Sequence, residues 1–257
     1  MSGNAEIKAI STFQSQGKRP VQEDFLMVQR EKGIFIAADG FGNPSLTPAK
    51  VACEAVQSFL FKEAGDLDAT LPFVLRTYFS LAGNVLFNAL IHANRKLMNL
   101  NQGKSMSEKG GTSMVAGFLD GDLLALANVG DCSAWIFRED RCADLVIPRS
   151  YSRLVDPFGK ANTGDLRAPL MALGMAEDLE PEIIECKIQP GDWIAFATDG
   201  IPNELREKIL EIKLKKLNLA QAVKDFQKAL EGLLSEGKSD KGNVNTHDNA
   251  VISLIIF

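Results

Sequence analysis

The 257-residue sequence predicts an α+β fold in which two packed antiparallel sheets carry helices on their outer sides. Short β-branched runs typical of strands occur in both halves of the chain. The helical stretches lie together in two groups, so strands and helices do not alternate one for one. Regular alternation would predict a doubly wound parallel sheet, and its absence favours packed antiparallel sheets with helices outside.

Nine short apolar segments are predicted as strands because β-branched and aromatic residues dominate them. These segments cover residues 7–13, 25–29, 34–38, 113–119, 123–129, 133–137, 183–188, 193–197 and 251–257. Between the fourth and fifth segments, Asp120-Gly121 lies between two apolar runs, which predicts a hairpin.

Helices are predicted in the two long intervals between the strands. Thr47-Pro48 supplies an N-cap followed by proline at the first helical position, and an apolar face continues from Val51 to Leu60. A second helix is predicted from about residue 72 to residue 100, and further helices over 203–214 and 220–234.

Residues 148–180 are rich in proline and glycine without a clear period, which we interpret as a lid over a functional site.

Composition restricts the class of protein. Lys+Arg number 28 and Asp+Glu 33, so the net charge is −5, and the absence of a basic block disfavours nucleic acid and anionic membranes as partners. No apolar segment resembles a secretory signal or a transmembrane helix. The four cysteines lie far apart, which indicates reduced thiols. We therefore expect one domain over residues 1–257, cytoplasmic and monomeric.

Acidic residues recur where predicted strands begin or end. Asp39-Gly40 and Asp199-Gly200 each follow a strand and precede a helical stretch, so a hairpin turn explains them poorly. Asp248 precedes the last strand, Glu23-Asp24 precedes the second, and Asp131 follows the fifth. Acids gathered at one edge of a sheet repel one another unless cations neutralise them. Their recurrence suggests a metal site.

The ligand types indicate which metal. Carboxylates and a backbone carbonyl without nearby Cys or His ligands suit Mg²⁺ or Mn²⁺. Two such ions about 3.5–4 Å apart, bridged by one aspartate, can hold and deprotonate a water for in-line attack on phosphorus. A glycine after the aspartate lets a metal approach the backbone oxygen closely.

Seven motifs, in order along nearly the whole chain, resemble those of the PPM family (type 2C) of metal-dependent protein Ser/Thr phosphatases. They are Arg19-Pro20-Val21-Gln22-Glu23-Asp24, Ala38-Asp39-Gly40-Phe41-Gly42, Gly110-Gly111-Thr112-Ser113, Asn128-Val129-Gly130-Asp131-Cys132-Ser133, Leu173-Gly174, Ala197-Thr198-Asp199-Gly200 and Asp248-Asn249. Each motif alone is weak, but the ordered set is highly specific. The resemblance implies a four-layer α/β/β/α sandwich, with residues 148–180 as the family's flap beside the substrate groove.

The resemblance also implies residue roles. Asp39 bridges two Mn²⁺ or Mg²⁺ ions, with Glu23 and the Gly40 carbonyl on one ion. The other site residues are Asp199 and Asp248 on the second ion, Asp131 with Asp199 at a looser third ion, Asp24 bonded to a metal-held water, and Arg19 on the phosphate. The implied reaction is hydrolysis of phosphoserine or phosphothreonine in a phosphorylated protein, without a phosphoenzyme.

Several residues depart from the family pattern. Phe41 stands where many members carry a histidine, Asn43 replaces a second glycine, and the flap lacks the usual opening Asp-His. Cys132-Ser133-Ala134 replaces the usual Ser and Arg after Asp131. These departures keep open a pseudophosphatase that binds a partner without turnover. For Gly110-Gly111 we expect close packing rather than phosphate binding. A third hypothesis is a two-metal hydrolase of nucleotides or small phosphate esters.

Overall fold

The computed structural model describes residues 6–63, 73–156, 168–235 and 248–257. The described strands form two five-stranded sheets in which every neighbouring pair is antiparallel. The first sheet contains, in spatial order, β1 (Ala9–Ser15), β10 (Ala250–Ile256), β9 (Trp193–Ala197), β6 (Ser133–Arg138) and β7 (Arg141–Val146). The second contains β2 (Phe25–Gln29), β3 (Ile34–Gly42), β4 (Gly110–Asp120), β5 (Leu123–Val129) and β8 (Glu182–Lys187).

Helices cover the outer side of each sheet. On the second sheet lie α1 (Pro48–Glu63) and α2 (Leu81–Asn101), and on the first lie α4 (Leu205–Leu214) and α5 (Leu219–Ser235). A short helix, α3 (Tyr151–Val155), lies in the predicted flap. The predicted α/β/β/α sandwich is confirmed. Within the described residues, no helix is both long and apolar enough to span a membrane.

Three apolar layers hold the sandwich together because each sheet face and each helix stripe buries its apolar side chains. Between the sheets, Phe35 of β3 stacks on Phe196 of β9 at a centroid distance of 5.9 Å. Outside the second sheet, α1 and α2 bury alanines and leucines against β3, β4 and β5. Outside the first sheet, Phe226 and Leu230 of α5 are fully buried.

The strand predictions were right in type and incomplete in extent. The Asp120-Gly121 hairpin is confirmed, with Asp120 paired to Leu123 and Gly121 at φ +62°. Strand β7 was missed because it is an edge strand with only one buried residue, and its turn uses Glu139 at φ +52° instead of a glycine.

The expectation that Asp39-Gly40 ends its strand is wrong. β3 continues to Gly42, which pairs with Gly110, because β4 begins three residues earlier than predicted. Two consecutive glycines lower the strand propensity, so the sequence pattern hid this extension.

The predicted start of the second helix near residue 72 is also wrong. Residues 64–72 and 157–167 lie outside the described part of the chain, and α2 begins at Leu81. The Ser80 side chain caps it by accepting a hydrogen bond from Gly83 N at 3.0 Å. Before the helix, Asn84 bonds the backbone N–H and C=O of Arg76, which holds that segment in a non-helical turn.

Candidate active site

A cavity of about 960 Å³ opens where several turns and strand ends of both sheets meet. On one side it is lined by acids that the sequence singled out. These are Glu23 before β2, Asp39 in β3, Asp131 between β5 and β6, Asp199 after β9 and Asp248 before β10. We call these five side chains the carboxylate wall. Arg19 and Gly40 also line the cavity.

Strand pairing fixes Asp39 at the centre of this arrangement. In the β3–β4 ladder Asp39 lies opposite Ser113, and Thr112 Oγ1 donates a hydrogen bond to the Asp39 carbonyl at 2.8 Å. A Cβ at Gly40 would lie 2.6 Å from the Glu23 backbone oxygen. Glycine at position 40 therefore allows the Glu23 segment to lie directly against β3.

Asn249 holds two chain segments at the site, a role that the sequence analysis did not assign. Its side-chain oxygen accepts a hydrogen bond from Glu23 N at 2.8 Å, and its amide donates to Gln16 O at 2.8 Å. The residue is buried, so these bonds are shielded from water. The signal available in the sequence was its position directly after Asp248, at the start of the last strand.

Asp24 lies beneath the carboxylate wall and is buried. Thr198 Oγ1 donates a hydrogen bond to Asp24 Oδ2 at 2.7 Å, and Val251 N donates to Thr198 Oγ1 at 3.0 Å. Thr198 therefore links Asp24 to the first residues of β10. The sequence motif contained Thr198, but nothing in the pattern identified its partner.

The acids raise one another's pKa values, and burial contributes most. Burial raises the pKa of Asp39 well above its ordinary value, and the charges of Asp199, Asp24 and Asp131 raise it further. Burial raises the pKa of Asp24 to about 7, although the Thr198 hydrogen bond opposes the shift. The pKa values of Asp131 and Glu23 are raised by burial as well. The chain thus collects acids at a place that disfavours their charged forms.

Arg19 is the one cationic side chain among the described residues that line the cavity. Its guanidinium donates two hydrogen bonds to Asp248, from Nε to Oδ1 at 2.8 Å and from Nη2 to Oδ2 at 2.9 Å. This bond and the charge of Asp248 raise the pKa of Arg19. The predicted phosphate-binding arginine and one predicted metal ligand are therefore paired with each other.

The carboxylate wall fits divalent cations by its chemistry. Its donors are all oxygen, as Mg²⁺ and Mn²⁺ prefer. Asp131 Oδ1 is buried and has no hydrogen-bond partner among the described residues, so it is an acceptor in need of a cation or a donor. Within that part of the chain, however, no three His, Cys, Asp or Glu side chains are already arranged to hold a metal ion. If Asp248 is a ligand, as the sequence predicts, its pairing with Arg19 has to change when a metal binds.

A second part of the cavity lining is apolar. Phe41 at the end of β3 packs over Gly111 of β4, where a Cβ would lie 2.7 Å from Phe41 Cζ and 2.9 Å from Met175 Cγ. The expectation that the glycine pair serves close packing is thus confirmed. Residues 168–176, which we call the strap, supply the rest of this apolar part through Leu170, Met171 and Met175.

No protein-family model and no curated protein sequence matches the chain. Solved structures do. The PPM Ser/Thr phosphatase MsPP from Mycobacterium smegmatis, in complex with cacodylate, is 18% identical with a TM-score of 0.70, covering 98% of this chain and 100% of that one. The serine/threonine phosphatase of S. agalactiae is 21% identical with a TM-score of 0.70, covering 96% of this chain and 98% of that one.

A third similar structure is the catalytic domain of the serine/threonine protein phosphatase PstP in complex with two manganese ions. It is 17% identical with a TM-score of 0.70, covering 97% of this chain and 98% of that one. At these identities the likeness establishes the fold. The chain has the fold of the PPM Ser/Thr phosphatases over nearly its whole length.

Proposed function

We propose that this chain, with its PPM fold, is a metal-dependent phosphatase that hydrolyses phosphoserine and phosphothreonine in proteins. The observation that carries the proposal is the convergence of five carboxylates and one arginine around a single cavity. Oxygen ligands for hard cations and a planar cation for phosphoryl oxygens are the two chemistries that phosphoryl transfer to water needs.

In this proposal the carboxylate wall would hold two Mn²⁺ or Mg²⁺ ions, with Asp39 as a ligand to both and Asp131 at a looser third. Glu23 and the Gly40 carbonyl would serve the first ion, and Asp199 and Asp248 would serve the second. Such cations would neutralise the wall, polarise phosphoryl oxygens and lower the pKa of water at the site.

The protein groups bind and orient the substrate around that chemistry. Arg19 releases Asp248 and turns its guanidinium to two phosphoryl oxygens, because the planar guanidinium can form the same pair of hydrogen bonds with a carboxylate or with a phosphoryl group. Asp24, held by Thr198, fixes the position of Asp39 and accepts a hydrogen bond from water at the site. Phe41 has no proton to donate to the leaving alkoxide, so that proton comes from solvent.

The test is release of phosphate from a phosphothreonine peptide by the whole chain, with and without Mn²⁺. We expect turnover that requires Mn²⁺, stops with EDTA and is lost in Asp39→Asn. Asp120→Asn, which alters an exposed turn acid far along β4, is the matched control and should keep the wild-type rate. Equal rates in Asp39→Asn and wild type would contradict the proposal.

The Arg19–Asp248 pair favours a second candidate, a pseudophosphatase that binds phosphorylated partners without turnover. In that candidate the ion pair persists and keeps Asp248 from a metal. Titration calorimetry with Mn²⁺ separates the two functions. Two-site binding together with turnover supports the enzyme, whereas folded protein that binds no Mn²⁺ and releases no phosphate supports the pseudophosphatase. Activity on p-nitrophenyl phosphate and AMP but not on phosphopeptides would instead indicate a small-ester hydrolase.

A further inference from the structure

The cavity has two chemically different sides, and the proposed function uses only one of them. The carboxylate wall shares the cavity with an apolar surface formed by Phe41 and the strap. Leu170 lines the cavity with 47% of its surface exposed, and burying that apolar surface against a substrate would be energetically favourable. Met171 and Met175 are partly buried and also line the cavity.

The strap is held rigidly by buried hydrogen bonds from α2. Asn101 Nδ2 donates to the carbonyls of Gly110 at 2.8 Å and Gly174 at 2.9 Å, and its Oδ1 accepts from Gly110 N at 3.0 Å. Asn94 accepts from Gly174 N at 2.7 Å and donates to Ala176 O at 2.8 Å. Both asparagines are 2% exposed. The apolar surface therefore exists before any substrate arrives.

Two further contacts fix the strap against the second sheet. Leu173 and Thr112 exchange backbone hydrogen bonds at 2.9 and 3.1 Å, which adds a bridge to the edge of β4. At Gly174, φ is +85° and a Cβ would lie 2.8 Å from Leu97 Cβ of α2. Glycine is thus required for the strap to approach the helix. Met175 follows directly and, like Phe41, lies over Gly111.

The charges around the cavity disfavour acidic substrate residues. Arg19 is the one cation among the described lining residues, and it is committed to Asp248 or to the phosphoryl group. Asp178, on the strap side, is exposed and also lines the cavity. An acidic group beside the phosphorylated residue would therefore meet the like charge of Asp178, which lies outside the carboxylate wall.

We infer that Phe41 and the strap form an apolar subsite that selects phosphorylated segments with an apolar side chain beside the phosphorylated residue. The inference rests on the proposed function and adds the substrate class: phosphosites flanked by leucine-like residues, with acidic flanks disfavoured. Its basis is a partly exposed, preformed apolar surface that lines the same cavity as the carboxylate wall.

The test compares two phosphothreonine peptides that differ only at the residue following phosphothreonine, leucine in one and glutamate in the other. Burial of one leucine side chain predicts a kcat/KM about tenfold higher for the leucine peptide. The flap offers a matched pair of variants. Leu170→Ser removes an exposed leucine that lines the cavity, and Leu154→Ser removes one, 65% exposed on α3, that does not.

We expect Leu170→Ser to reduce the preference several-fold and Leu154→Ser to leave it at the wild-type value. Equal kcat/KM for the two peptides, or the same reduction in both variants, would overturn the inference. Absence of Mn²⁺-dependent turnover on both peptides and on p-nitrophenyl phosphate would instead reject the proposed function. Peptide affinity by fluorescence anisotropy then tests the subsite by itself: tighter binding of the leucine peptide sustains it, and equal binding rejects it.

Discussion

Asp192 and Asp39 differ in whether a cationic side chain of the protein accompanies the acid. Asp192, which precedes β9 and is 1% exposed, accepts bonds from Arg138 Nε at 2.9 Å, Arg138 Nη2 at 2.6 Å and Gln189 N at 2.8 Å. Asp39 lies among other acids, and their charges raise its pKa. Asp192 is a structural acid because the Arg138 guanidinium neutralises its charge. Acids that lie together without such a side-chain cation, as around Asp39, indicate a site for a cation that binds from solution.

Asp39→Asn is expected to have the largest effect, with opposite signs on activity and stability. Loss of the proposed bridging carboxylate should lower Mn²⁺-dependent turnover by about a thousandfold or more. The melting temperature of the metal-free protein should rise, because one of several mutually repelling acids is gone. Phosphate release and thermal unfolding in EDTA measure the two effects. A fall in the metal-free melting temperature would mean that Asp39 is a structural residue.

Asp192→Asn should show the reverse pattern. Removing the charge leaves the Arg138 guanidinium without its partner and weakens three hydrogen bonds, which should lower the free energy of unfolding by about 2–3 kcal/mol. Urea denaturation measures this loss. Turnover per folded molecule should equal that of wild type, since Asp192 lies outside the cavity. A variant with full stability and reduced turnover would contradict the distinction between the two acids.

The pH dependence of stability should follow the crowded acids when no metal is bound. The pKa of Asp24 is about 7 in the folded protein and ordinarily 3.8, so above pH 4 the folded state holds a proton that the unfolded state has released. Stability is then fully present below about pH 4 and is lost as the pH rises through 7. We expect the melting temperature to fall by several degrees across this range.

Two controls accompany that pH series. Asp24→Asn should flatten the pH dependence, and Mn²⁺ at pH 8 should restore the melting temperature, because cations favour the ionised carboxylates. A metal-free melting temperature that rises between pH 4 and pH 7 would contradict the pKa of Asp24.

Arg19→Lys is expected to have the smallest effect. The Arg19 side chain is half exposed in its pair with Asp248, so loss of the pair should change the free energy of unfolding by less than about 1 kcal/mol. A lysine cannot form the two-pronged contact with phosphoryl oxygens, and KM should rise several-fold with a smaller change in kcat. Steady-state kinetics on the phosphothreonine peptide test this. An unchanged KM would show that Arg19 serves Asp248 alone.

The sequence predicted the carboxylate wall because each acid stands beside a recognisable strand. It could not predict that Arg19 and Asp248, 229 residues apart, pair with each other, since only the folded topology brings them together. The extension of β3 through Asp39 to Gly42 was hidden by the glycines that make it possible. The roles of Asn94 and Asn101 could not be predicted either, because the function of a polar residue on a buried helix face depends on hydrogen-bond partners that lie far away in the sequence.

The position of β10 has a consequence for how the molecule is made. This strand lies between β1 and β9, so the first sheet joins residues near both ends of the described chain. During synthesis, the edges of β1 and β9 that pair with β10 remain unpaired until residues 250–256 leave the ribosome. Asp248 and Asn249 arrive with that same strand. A nascent chain therefore cannot complete the carboxylate wall before the first sheet closes, and a chain released early would leave the edges of β1 and β9 exposed.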